Sequence, residues 1–183
     1  MNITSTDIVL IVGKRGSGKT TLLRGITNAI EPLFINGHGY GFIKVDPLRE
    51  LNGIPITYGD RIKYNQILKD AFEKKNQFII TDEADGFFKN KASLSKLETN
   101  FIHIGRHYGL GGIFITRRLS NLHTDLVSQA NKVFIFKLWQ RSDLDYLKES
   151  GFQQFIPNIL NLQPYQFLTI DVDTGENEVN DPV

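Results

Sequence analysis

Ile8-Val9-Leu10-Ile11-Val12-Gly13-Lys14-Arg15-Gly16-Ser17-Gly18-Lys19-Thr20 is the stretch whose reading decides the fold. From Ile8 to Val12 it is apolar and largely β-branched, with no polar alternation, so it reads as a strand buried on both faces of a parallel sheet. The run stops at Gly13. From Gly13 to Thr20 every fixed position of the pattern G-x-x-x-x-G-K-[ST] is matched. Glycines there let backbone N–H groups turn inward and approach phosphate oxygens with no Cβ in the way. The loop then feeds a helix whose unpaired N–H groups and dipole favour an anion. Gly13, Lys14, Arg15, Gly16, Ser17, Gly18, Lys19, Thr20 and Thr21 are therefore the candidate nucleotide cradle, with Lys19 on the β- and γ-phosphates and the Thr20 hydroxyl on Mg²⁺.

Strand-like and helix-like stretches alternate outward from this point. Leu22, Leu23, Ile26 and Ile30 form a helical stripe that Pro32 should close. Phe42 to Val45 reads as a strand ended by Asp46-Pro47, and Arg61 to Lys75 as a helix. Phe78 to Asp82 is a further strand, and Leu94, Leu97, Phe101 and Ile104 mark a helix. Gly112 to Thr116 and Val133 to Leu138 are two more short apolar runs, and Asp143 to Ser150 a short helix. The pattern is α/β, a P-loop NTPase of ASCE/RecA-like type with a mostly parallel sheet and helices on both faces. Residues 1–183 read as one domain, with Tyr165 to Val172 an edge strand and the acidic stretch from 171 a hairpin tip and frayed tail.

Composition narrows the function classes. Lys+Arg is 21 and Asp+Glu 20 in 183 residues, a formal charge of +1, which excludes a uniformly basic nucleic-acid binder. With no cysteine, disulfides, iron–sulfur clusters and thiolate zinc sites are excluded. His38, His103, His107 and His123 have no metal-ligand spacing. No run approaches a membrane span, and Met1 to Ser5 lacks the features of a signal peptide, so a soluble intracellular protein is the expectation.

Ile79-Ile80-Thr81-Asp82-Glu83 supplies the second half of the site. An acid at the tip of a buried strand occupies the Walker B position, where Asp82 would hold Mg²⁺. Glu83, directly after it, can polarise an attacking water, which mere phosphate binding does not need. Thr81 stands in a slot that is usually apolar. Arg106, in Gly105-Arg106-His107-Tyr108-Gly109, and Arg117-Arg118, at the tip of the Gly112 to Thr116 strand, are the candidate groups for charge developing on the transferred phosphoryl.

The chain resembles the FtsK–HerA superfamily of DNA-pumping ATPases, and within it the small genome-packaging ATPases of membrane-containing tailless viruses. The resemblance rests on the P-loop, Ile43-Lys44-Val45-Asp46-Pro47, Asp82-Glu83-Ala84, the block Gly105 to Gly111, and Phe114 to Leu122. Ser128-Gln129-Ala130-Asn131 with Val133 to Phe136, and then Asp143 to Leu147, continue it. It implies an ATP- and Mg²⁺-dependent ATPase that translocates double-stranded DNA irrespective of sequence, as a homo-oligomeric ring, a hexamer, at a viral capsid vertex. Asp82 becomes the metal acid, Glu83 the base, and Arg106 a finger acting on the adjacent subunit. Arg117 stands where the family usually has a glutamine sensing the γ-phosphate, so either Arg117 replaces that sensor with a charged group, or it is the finger and Arg106 is structural. Lys89, Lys91 and Lys96 are the candidate DNA contacts, though a solvated face explains them equally. A small-molecule P-loop kinase and an ATPase of a filamentous-phage assembly or secretion-like machine are the alternatives.

Overall fold

A computed structural model of the chain describes residues 2–181. In chain order the regular elements are β1 (Ile8–Val12), α1 (Lys19–His38), β2 (Gly41–Val45), α2 (Arg61–Lys74), β3 (Gln77–Thr81), α3 (Lys96–Ile104) and β4 (Leu110–Thr116). There follow α4 (Thr124–Ser128), β5 (Lys132–Phe136), α5 (Arg141–Glu149), α6 (Ile156–Asn161), β6 (Phe167–Asp171) and β7 (Asn177–Asn180). They form one seven-stranded sheet in the order β2-β3-β4-β1-β5-β6-β7. The first five strands of that order run parallel, and β6 and β7 are antiparallel additions.

Alternate side chains of the buried strands face opposite layers, as the period of a strand requires. Leu10, Val12, Ile79, Phe114, Val133 and Ile135 pack into the larger core, under α2 to α6. Val9, Ile11, Phe78, Ile80, Ile113 and Ile115 pack into the other, whose helical cover is α1 through Leu22, Leu23, Ile30 and Phe34. Parallel pairing aligns Val12 with Thr116 and with Ile135, and Val45 with Thr81. The carboxyl ends of the five parallel strands, including those of the two motif-bearing strands β1 and β3, therefore open on one edge, and β4 lies between these two.

Two expectations are corrected. Pro32 does not close α1, which continues to a left-handed Gly39 at φ 66°. The helix loses one N–H bond at the proline, and the last turns are held instead by Phe34, which packs on Phe42, Phe78 and Tyr40. The C-terminal segment is not frayed over Asn177–Asn180, which pairs with β6 as β7. Lys132 Nζ binds Asp171 Oδ2 at 2.5 Å, and Asp171 Oδ1 also accepts from the amides of Asp173 and Thr174, each at 3.2 Å, fixing the hairpin. Residues 182–183 lie outside the described residues.

Candidate active site

The P-loop leaves β1 and enters α1 through Gly18, at φ 105°, with no side-chain cap and no acid in the first helical turn. The helix thus offers bare N–H groups to whatever sits in the loop. Ser17 Oγ is buried with no hydrogen-bond partner among the described residues. Lys19 Nζ folds back onto the carbonyls of Gly13 and Lys14 at 2.6 and 2.8 Å. Burial pushes its ammonium below the ordinary lysine range, with Glu83 and Asp82 opposing. An orphaned hydroxyl, an uncapped helix and a desolvated cation are what a phosphate chain would satisfy. Lys14, Arg15 and Gly16 form the exposed outer turn, with Lys14 Nζ 4.6 Å from the Trp139 ring centroid, and Thr21 is exposed on the first turn of α1.

The tip of β3 faces this cradle. Asp82 is buried, and the loss of water raises its carboxyl to about 6, although the Glu83 amide bonds its Oδ1 at 2.9 Å and pulls the other way. Thr81, the polar residue in an apolar slot, has its hydroxyl 2.9 Å from that of the fully buried Tyr64. The hydroxyl pair explains why a threonine is tolerated there. Glu83 adopts a left-handed backbone, φ 48°, which turns its carboxylate out of the strand line. Its Oε1 meets Arg117 Nη2 at 2.5 Å. Arg118 turns away, pairing with Asp143 and Ser142.

Metal chemistry fits the donors. Thr20 and Asp82 offer hard oxygens beside the cradle, and the described residues contain no cluster of three or more His, Cys, Asp or Glu able to hold a metal. Mg²⁺ typically needs only one or two carboxylates plus phosphate and water, so the set suits a metal that arrives with its nucleotide.

The arginines separate. Arg117 sits at the carboxyl end of β4, against Glu83. Arg106 lies in the 3-10 turn Gly105–Tyr108, at the opposite end of the same strand. A seven-residue strand puts about 20 Å between them. Arg106 is exposed and makes no ion pair among the described residues. Lys89 and Lys91 are also exposed, on the segment after β3, and Lys96 opens α3. That segment is stitched to the β4 exit by amide bonds from Asn90 to Asn121 O and from His123 to Phe88 O. The side chain of His38 lies outside the described residues.

One group escaped the sequence reading. Glu50, in the connection after β2, brings Oε2 to 3.5 Å from Thr20 Oγ1. No periodicity marks it; the nearby Asp46-Pro47 was the only available signal.

The chain belongs to the ATPase family associated with various cellular activities (AAA), whose model matches residues 9–138. It is an ATPase domain on a P-loop fold. No curated protein matches it by sequence. Among solved structures it is similar to the genome packaging NTPase B204 of Sulfolobus turreted icosahedral virus 2 in complex with ATP-gammaS. The TM-score there is 0.88 at 22% identity, over 99% of this chain and 100% of that one. The same NTPase with AMPPCP gives 0.84 and 23%, over 99% and 100%. The N-terminal domain of zonular occludens toxin from Neisseria meningitidis gives 0.63 and 17%, over 97% and 95%. The likeness in fold agrees with the resemblance drawn from the motifs.

Proposed function

We propose that this chain is the motor subunit of a viral genome-packaging machine, hydrolysing ATP to move double-stranded DNA irrespective of its sequence. The observation that carries hydrolysis is Glu83, a carboxylate one residue beyond buried Asp82 and turned towards the Lys19 cradle. The DNA and capsid parts of the reading are supported by the Gly105 to Phe136 motifs and by the full-length likeness to a packaging NTPase. No helix among the described residues is long and apolar enough to cross a membrane. The proposed setting is the host cytoplasm or the virion, as a homo-oligomeric ring, a hexamer, at a capsid vertex.

Lys19 exchanges the carbonyls of Gly13 and Lys14 for phosphate oxygens, and Ser17 and the α1 amides close on the remaining ones. Thr20 and Asp82 would hold Mg²⁺, which when bound neutralises charge on the phosphate oxygens. Glu83 accepts a proton from water as its oxygen attacks the γ-phosphorus and the bond to the ADP oxygen breaks. Arg117 leaves Glu83 for the γ-phosphoryl, freeing the base as it stabilises the charge. Arg106, on the far edge, serves a neighbour's nucleotide, and Lys89, Lys91 and Lys96 are the proposed grip on DNA phosphates.

Phosphate release measured over a range of protein concentrations, with and without linear double-stranded DNA, tests the reading. A rate per subunit that climbs with concentration and shifts with DNA is expected. Phosphate transferred to an added nucleoside acceptor, with a flat rate indifferent to DNA, would replace the motor by a kinase.

A further inference from the structure

The connection after β2 is built with more care than a surface loop needs. Asp46, fully buried, accepts the backbone N–H groups of Glu50 and Leu51 at 2.9 and 2.6 Å, with that of Gly53 at 3.4 Å. The chain then returns to β2: the Ile54 amide bonds Lys44 O at 2.7 Å, and the Asp46 amide bonds Ile54 O at 3.1 Å. A Cβ on Gly53 would stand 2.3 Å from Lys44 O, so only glycine fits that return. Arg49 and Asn52 both adopt positive φ, 59° and 54°. Such conformations persist where the surroundings over-determine them. Between the two lies Glu50, its backbone carbonyl held by Arg24 Nη2 at 3.2 Å and its carboxylate 3.5 Å from the Thr20 hydroxyl.

A threonine hydroxyl has one proton and two lone pairs. When a lone pair is given to a metal, the proton needs an acceptor on the other side, and that acceptor fixes which way the lone pair points. Among the described residues Glu50 alone brings an acceptor to the Thr20 hydroxyl; Asp82 Oδ1 accepts the Glu83 amide, and Glu83 is the base proposed for the attacking water. Glu50 is the remaining carboxylate beside Thr20. That the site holds a phosphate ligand is indicated independently by the buried, unpartnered Ser17 Oγ.

We infer that Glu50 is a positioning residue that accepts the Thr20 hydroxyl proton and so aims the Thr20 oxygen at the nucleotide-bound divalent cation, the Asp46-bonded loop existing to hold it there. The inference rests on the proposed metal-dependent nucleotide site. It acts through Thr20, so its test is a coupling measurement.

Mn²⁺ binding is read by electron paramagnetic resonance in the presence of a non-hydrolysable ATP analogue, for wild type, Glu50→Ala, Thr20→Ala and the double variant. Analogue affinity in excess chelator serves as the metal-free control. Glu50 is exposed, so its removal leaves the melting temperature unchanged. Glu50→Ala should weaken Mn²⁺ by about 10–100-fold without changing metal-free analogue affinity, and Glu50→Gln, which keeps an acceptor oxygen, should recover part of the loss. The double variant should be no worse than Thr20→Ala alone. Wild-type Mn²⁺ affinity in Glu50→Ala, or losses that multiply in the double variant, would overturn the role. Wild-type protein that binds Mn²⁺ no better with the analogue than without it would instead sink the metal-dependent site on which the inference stands.

Discussion

Arg117 and Glu83, from the tips of two neighbouring strands, hold each other at 2.5 Å. The pair keeps the base occupied and holds the arginine near enough to Lys19 for its charge to help lower the Lys19 ammonium. Glu83→Gln should therefore leave binding of a non-hydrolysable analogue intact while lowering kcat by about 10²–10⁴-fold. Arg117→Ala should lower kcat by up to roughly 10³–10⁵-fold if it contacts the γ-phosphoryl. Because Arg117 is substantially exposed, losing the pair should change stability by no more than about 1 kcal/mol. Single-turnover kinetics beside thermal melts separates these effects; wild-type turnover in Glu83→Gln removes it as the base.

Asp82 predicts two opposite pH responses. Burial raises its carboxyl from the ordinary 3.8 to about 6, so the folded, metal-free protein holds a proton there that the unfolded chain has released. Its contribution to stability is full below about pH 4 and is lost as pH rises through about 6. Asp82→Asn should abolish that part of the profile and raise the melting temperature at pH 8 by roughly 2–6 °C without metal. Metal-dependent nucleotide binding needs the ionised form and should weaken as pH falls through the same window. Melting curves and metal titrations from pH 4 to 8, on both proteins, check the two signs.

Arg106 should behave as a residue supplied to a neighbour. Mixed in increasing proportion into wild-type protein, Arg106→Ala should depress ATP hydrolysis by more than its mole fraction. Strictly proportional loss would mean that each subunit works alone. Arg117→Ala, whose group pairs with Glu83 of its own chain, is the natural comparison in the same mixing series.

Gly112 makes a prediction about the sheet. A Cβ there would stand 2.2 Å from the Ile79 carbonyl oxygen of the adjoining strand. Gly112→Ala should force β3 and β4 apart and cost about 1–3 kcal/mol, or more, in chemical denaturation. Unchanged stability would show that the strands have slack.

The same glycine shows why the reading of the sequence was uneven. Glycine disfavours strands, so the sequence reads as strand only from Gly112, whereas β4 begins at Leu110. The glycine is there because a neighbouring backbone passes close, which no local pattern reveals. β1 and its loop were legible because apolarity, the stop and the fixed spacing all lie within one short stretch. Helices α4 and α6, of five and six residues, are too short to show a period. Strand order, and with it the meeting of Arg117 with Glu83, follows from crossovers whose hand and length a linear text does not state. Glu50 was invisible because its place depends on Asp46 reaching back along its own loop.

The left-handed backbone at Glu83 has a consequence for anyone who evolves or engineers this chain. A glutamate pays about 1–3 kcal/mol of strain to sit there, and glycine or asparagine would sit there more easily. Asp82 beside it is likewise held against its preference for water. A search that rewards heat resistance alone, with no nucleotide and metal supplied, would enrich sequences that have discarded both acids and can no longer turn over. Robustness and competence part company at these two adjacent positions, and selection has to be run on the loaded protein to keep them together.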